Sequence, residues 1–89
     1  KKKDYNGAID DYTKAIALYP KSADAYRDRA SAHSKASNLP EMSLSNKRLH
    51  LSAAIGDAHK AIQLNPGWKN DLDDFLAKAR ARLSEMDTQ

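Results

Sequence analysis

Apolar positions fall at helical steps along almost the whole chain. Tyr5, Ala8, Ile9, Tyr12, Ala15, Ile16 and Tyr19 recur every three or four residues, which lines them on one face and predicts an amphipathic helix over 3–19. Pro20 ends it, because the residue before a proline is pushed out of the helical region. Gly7 weakens the first turns by about 1 kcal/mol relative to alanine, a cost that a tight neighbour would explain. Ser22 is a good N-cap for a second helix over 23–37, and Asp24 suits the positive end of its dipole. That helix carries Ala23, Ala25, Tyr26, Ala30, Ala32, His33 and Ala36, so it is thin, marginal alone, and suited to close packing against neighbours.

Ser37-Asn38-Leu39-Pro40 interrupts the pattern, and Pro40 followed by Glu41 is expected in the first turn of the next helix. Met42, Leu44, Leu49, Leu51, Ile55, Ala58, Ile62 and Leu64 supply its apolar positions. Residues 49–64 read as helix. Residues 41–48 read either as an extension of it or as a mobile loop, since Ser43, Ser45 and Asn46 lower helix propensity. Asn65-Pro66-Gly67 is a stop signal. Leu72, Phe75, Leu76, Ala79, Leu83 and Met86 then form a stripe that predicts a last helix over 69–86, with the end of the chain frayed. Nothing reads as a strand. The expected fold class is all-α, with four to five helices.

One stretch occurs twice. Ala8–Pro20 recurs as Ala54–Pro66 at a constant offset of 46, with eight of thirteen positions identical: Ala8/Ala54, Ile9/Ile55, Asp11/Asp57, Lys14/Lys60, Ala15/Ala61, Ile16/Ile62, Leu18/Leu64 and Pro20/Pro66. A fixed period of this kind marks a repeat architecture, in which one helical unit cannot bury its apolar face alone.

The duplicated stretch resembles the second-helix half of the tetratricopeptide repeat, a helix–turn–helix unit of 34 residues with A-x3-F and a closing proline. Ala8-x3-Tyr12 with Pro20 matches that half, and Ala54-x3-Ala58 with Pro66 matches it again, Ala58 replacing the aromatic. Tyr26, Ala30 and His33 align with the first-helix half, where Arg29 stands in place of leucine and His33 in place of tyrosine. The resemblance implies one domain over 1–89, an antiparallel array of helices. Residues 3–19 are the second helix of an incomplete repeat, 23–66 are a repeat with 12 extra residues within about 38–50, and 69–86 are a capping helix in which Leu72 aligns with Tyr26 and Leu76 with Ala30. The other helical repeats with periods near 46, armadillo and HEAT, fit the internal spacings less well.

By that resemblance the chain is a non-catalytic module holding a peptide or partner protein on a concave face lined by first helices. The positions so placed are Asp24, Arg27, Asp28, Ser31, Ser34 and Lys35, with Arg27 and Lys35 as contacts for a carboxylate or phosphate. The same residues equally suit an ordinary solvated face. One branch of the family clamps a C-terminal carboxylate with lysine, asparagine and arginine. The position that clamp uses is Asp28 here and Asp74 in the last helix, and an acid opposes such a ligand. The apolar face of 3–19 lacks its own first-helix partner, which opens a second reading as a homodimer surface.

Composition narrows the chemistry further. The chain has 89 residues, enough for one small domain, and its net charge of +3 is accounted for by Lys1-Lys2-Lys3. The rest is neutral and has no strip of aromatic and basic residues, so nucleic acid is not an expected partner. No apolar run approaches the ~20 residues of a spanning helix, so no membrane insertion is expected. Cysteine is absent, which fits an intracellular chain, although exported chains lacking cysteine are common. The first residue is Lys rather than Met, as expected of a piece cut from something longer.

His33, His50 and His59 have no metal-site spacing within one helix, and there is neither a glycine-rich phosphate loop nor a nucleophile elbow. Neither a catalytic residue nor a cofactor is expected. Trp68 is placed to pin the last helix onto the turn before it. The segment around 38–50, with Lys47, Arg48 and His50, reads either as a tolerated insertion or as a second docking surface.

Overall fold

The structure, a computed structural model, describes residues 4–87. It consists of α1 (Tyr5–Leu18), α2 (Ala23–Ala36), α3 (Leu44–Leu64) and α4 (Lys69–Asp87), with a 3-10 turn at Pro66–Trp68. Among the described residues there is no strand. Residue 3, at the expected start of the first helix, and Thr88–Gln89 lie outside the described residues.

Side-chain partners show that α2 and α3, and α3 and α4, run antiparallel. Arg29 of α2 meets Asp57 of α3, and four residues later in α2, His33 meets His50, seven residues earlier in α3. In the same sense His59 of α3 meets Arg80, and Arg48 meets Met86 near the end of α4. The main contacts run from α1 to α2, α2 to α3 and α3 to α4.

Helix α2 therefore has neighbours on two sides, which explains its alanines: Ala25, Ala30, Ala32 and Ala36 are all buried. Small side chains let backbones approach from both directions. Ala30 of α2, Ala58 of α3 and Leu76 of α4 form the central cluster, with Ile55, Ile62 and Phe75 packed around it. Leu51 of α3 is fully buried.

Each of the first three helices opens on a side-chain cap. Asp4 accepts from the Gly7 N–H at 2.9 Å, Ser22 from Ala25 at 3.3 Å and Ser43 from Asn46 at 3.2 Å. Ser22 is the cap expected. Pro40 is not in the first turn of α3: it lies in the preceding turn, and α3 starts at Leu44 under Ser43. The serine that argued against helix interior acts at its boundary, where its oxygen satisfies an orphan N–H. Of 41–48, the first three residues are turn and the rest are helix. Helix α3 is thus 21 residues long, against 14 in α1 and in α2, and the surplus of seven is two further helical turns.

Three apolar positions depart from their expected burial. Tyr19 is exposed because it is the C-cap, with φ −132° and ψ 77°, and has left the helical period. Leu49 is exposed because it precedes the buried Leu51 by two residues, about 200° of helix rotation. Leu44 is exposed as the first residue of α3.

The tight neighbour of Gly7 is its own cap: a Cβ there would lie 2.5 Å from Asp4 Oδ2. Gly56, in the middle of α3, is exposed with nothing near a built Cβ. Gly56→Ala is therefore expected to raise unfolding free energy by about 0.5–1 kcal/mol, read as a higher urea midpoint at unchanged m-value.

Candidate binding site: the groove between α1 and α2

Between α1 and α2 lies an open cavity of about 270 Å3. Tyr5, Ala8 and Tyr12 line it from α1, one helical turn apart, and Asp28, Ser31, Ala32 and Lys35 from α2. Ala8 and Ala32 are the small members of this lining, and Tyr5 and Tyr12 bring aromatic rings with hydroxyls. Asp28 and Lys35 are seven residues apart, about 10 Å along α2 at the helical rise. Among the described residues no carboxylate pairs with Lys35.

The six residues expected on the concave face therefore divide. Asp28, Ser31 and Lys35 line the cavity. Asp24 and Arg27 pair with each other at 3.3 Å, and Arg27 also approaches Asp28 at 4.0 Å. The Arg27 guanidinium stands 4.2 Å over the Trp68 ring, so it braces α2 against the turn between α3 and α4. Ser34 is half-buried, and its carbonyl accepts the Ser37 hydroxyl at 2.6 Å.

Behind the groove, α2 is fastened to α3 by a bidentate ion pair. Arg29 Nε and Nη2 donate to Asp57 Oδ2 and Oδ1, both at 2.8 Å, and Arg29 Nη1 donates to Thr13 Oγ1 of α1 at 3.1 Å. The Asp57 hydrogen bonds hold the Arg29 guanidinium above its ordinary pKa, against the opposing effect of burial. One side chain thus ties three helices together. Nothing in the apolar periodicity signalled this. The available clue was an arginine at a position the repeat gives to leucine, one residue before the buried Ala30, which calls for a partner acid. The duplication pointed away from it, since Asp11, the counterpart of Asp57, is exposed.

A histidine pair completes the α2–α3 contact. His33 Nδ1 and His50 Nδ1 are 2.9 Å apart, with ring centroids at 5.1 Å and planes tilted by 43°. Burial pushes the His33 pKa below the ordinary imidazole value; His50 and Arg29 push it further down, and Asp57 pulls it back up. Spacing within one helix could not reveal this pair, because its members come from two helices. His59 is held apart from it, with Nε2 2.8 Å from Arg80 Nη2. Among the described residues no group of three or more His, Cys, Asp or Glu could hold a metal ion, and no helix is long and apolar enough to cross a membrane.

Successive antiparallel helices, a recurring helix sequence and a groove along one side define the class as an all-α helical repeat protein. Residues 1–36 match the TPR repeat family. Over 87 residues the chain is 37% identical to "Protein SGT1 homolog" of Oryza sativa subsp. japonica, a match covering 96% of this chain and 20% of that protein. The chain thus spans about a fifth of the length of that relative. No solved structure matches it. These two matches support reading the chain as a fragment of the tetratricopeptide repeat family, whose units are protein–protein interaction scaffolds.

Proposed function

We propose that this chain is a non-catalytic adaptor unit that holds an extended segment of a partner protein in the α1–α2 groove. The observation that carries this reading is Lys35, a cation with no carboxylate partner among the described residues, at the edge of a cavity flanked by Tyr5 and Tyr12. Of the six expected contact residues, Asp28, Ser31 and Lys35 take the direct role, while Asp24, Arg27 and Ser34 support α2. The distance from Asp28 to Lys35, about 10 Å, is spanned by about three residues of extended chain. The ligand that fits carries an acidic group at the Lys35 end, a basic group at the Asp28 end, and a small or apolar residue between the tyrosines.

Selecting displayed peptides on the 89-residue chain tests this. The selected peptides are expected to share that acid–spacer–base order. Lys35→Glu is expected to weaken them at least about tenfold, the loss of one charge-assisted contact. Peptides that bind Lys35→Glu and Tyr12→Ala as tightly as wild type would refute the groove.

A second reading, self-association, is favoured by a different observation. Helix α1 has no buried residue, whereas Ala54, Ala58 and Ala61 of α3, the counterparts of Ala8, Tyr12 and Ala15, are fully buried. Light scattering across a concentration series tests it: a dimer abolished by Tyr12→Asp supports pairing through this face, and a strict monomer at millimolar concentration rejects it.

A further inference from the structure

Outside the groove, the His33–His50 pair joins α2 to the added turns of α3. Both rings present Nδ1 to the other at 2.9 Å. At that distance one nitrogen must carry a proton and the other a lone pair. The contact is a hydrogen bond while at least one ring is neutral, and two opposed N–H donors once both are charged. Both rings are half-buried, so water cannot fully screen the second charge.

The surrounding charges relieve that repulsion only in part. From α2, Arg29 adds a positive charge. From α3, Asp57 is the counter-charge, but both of its oxygens are already held by Arg29 at 2.8 Å. Arg48, two residues before His50, is turned to Met86 O and Asp87 of α4 at 3.1 and 3.2 Å. Arg82 of α4 reaches the Ser37 carbonyl at 3.4 Å, one turn beyond His33.

What the pair holds is defined by burial. Residues 44–46 and 48–49 are exposed, and Lys47 and His50 are half-buried. The first fully buried residue of α3 is Leu51. Within 44–50, His50 meets α2 and Arg48 meets α4, and the whole segment precedes the first fully buried position of α3, Leu51.

We infer that His33 and His50 form a pH-dependent latch that holds residues 44–50 of α3 against α2 while at least one ring is neutral and releases them when both are protonated. Protons bind His33 less readily in the folded chain than in the unfolded one, so the unfolded state takes up more protons as pH falls. The latch contributes stability above about pH 6.5, the ordinary imidazole range, and loses it as pH falls below. Carboxylates stay ionised through most of this window, which separates the latch from general acid unfolding.

Amide hydrogen exchange of the full chain at pH 7.5 and 5.0, corrected for intrinsic rates, tests the latch. The amides of residues 47–51 are expected to lose protection about tenfold more than those of α4, and His50→Gln, which keeps a polar partner but cannot charge, to abolish the difference. His59→Gln is expected to leave it intact. NMR titration of the His33 imidazole gives an independent reading: it is expected to gain its proton at lower pH in the folded chain than in the unfolded one, and at higher pH in His50→Gln, where the opposing ring is gone. Independent titration of the two rings, or pH-dependent exchange that survives in His50→Gln, would overturn the inference.

Discussion

Asp57→Ala is expected to lower the unfolding free energy by about 3 kcal/mol, the range for removing one partner of a buried ion pair. Only 10% of the Asp57 side chain and 20% of the Arg29 side chain are exposed, so neither charge is well solvated in the fold. Removing the acid leaves the guanidinium with Thr13 Oγ1, a neutral acceptor on an exposed edge, as its remaining bonded partner. The penalty comes from that stranded charge more than from the lost attraction. For the same reason, Arg29→Met combined with Asp57→Leu is expected to recover most of the loss, because a buried pair replaced by apolar side chains of similar size is often neutral or better. Urea denaturation of the two single variants and the double variant closes the cycle. Additive single losses would show that the two residues act separately.

Leu76→Ala has the next largest expected effect, about 3 kcal/mol from lost transfer energy and the cavity left behind. Leu76 is 3% exposed, and the other buried members of its cluster are Ala30 and Ala58. The two buried alanines offer no long side chain to swing into the gap, which leaves its filling to Ile55, Ile62 and Phe75 at the rim. The loss should also be uneven. Leu76 secures α4, so amides of α4 are expected to lose protection by hydrogen exchange before those of α2. Uniform loss across all four helices would show that α4 does not open as a separate unit.

Leu76 also shows how far the duplication can be read. It stands 46 positions after Ala30, and both face a helix bearing the repeated sequence. Across α3, alanine on one side and leucine on the other make up the volume together. Ala58, where the first copy has the half-buried Tyr12, is fully buried in the same cluster as Leu76. The substitutions between the copies compensate one another, and neither copy alone displays that.

The helices, their order and three of their caps or stops, Pro20, Ser22 and Asn65-Pro66, were legible in the residues, because periodicity, capping and proline act over a few positions of chain. The start of α3 was not, because Pro40 and Ser43 are both credible openings and only the placement of the turn chooses between them. The groove was half legible. Family positions named Asp28, Ser31 and Lys35, but Tyr5 and Tyr12 enter it through the packing of α1 on α2. Arg27 left it for Trp68, forty-one residues away in sequence.

Local order, then, made this chain a row of helices with a repeated unit, since each signal for it is satisfied within one turn or one repeat. Tertiary structure decided which charges meet. Arg29 with Asp57, His33 with His50, and Lys35 without a carboxylate among the described residues are outcomes of helices laid side by side, where partners are set by distance through space. Electrostatic energy depends on that distance and on burial, and neither is written in the spacing of residues along the chain.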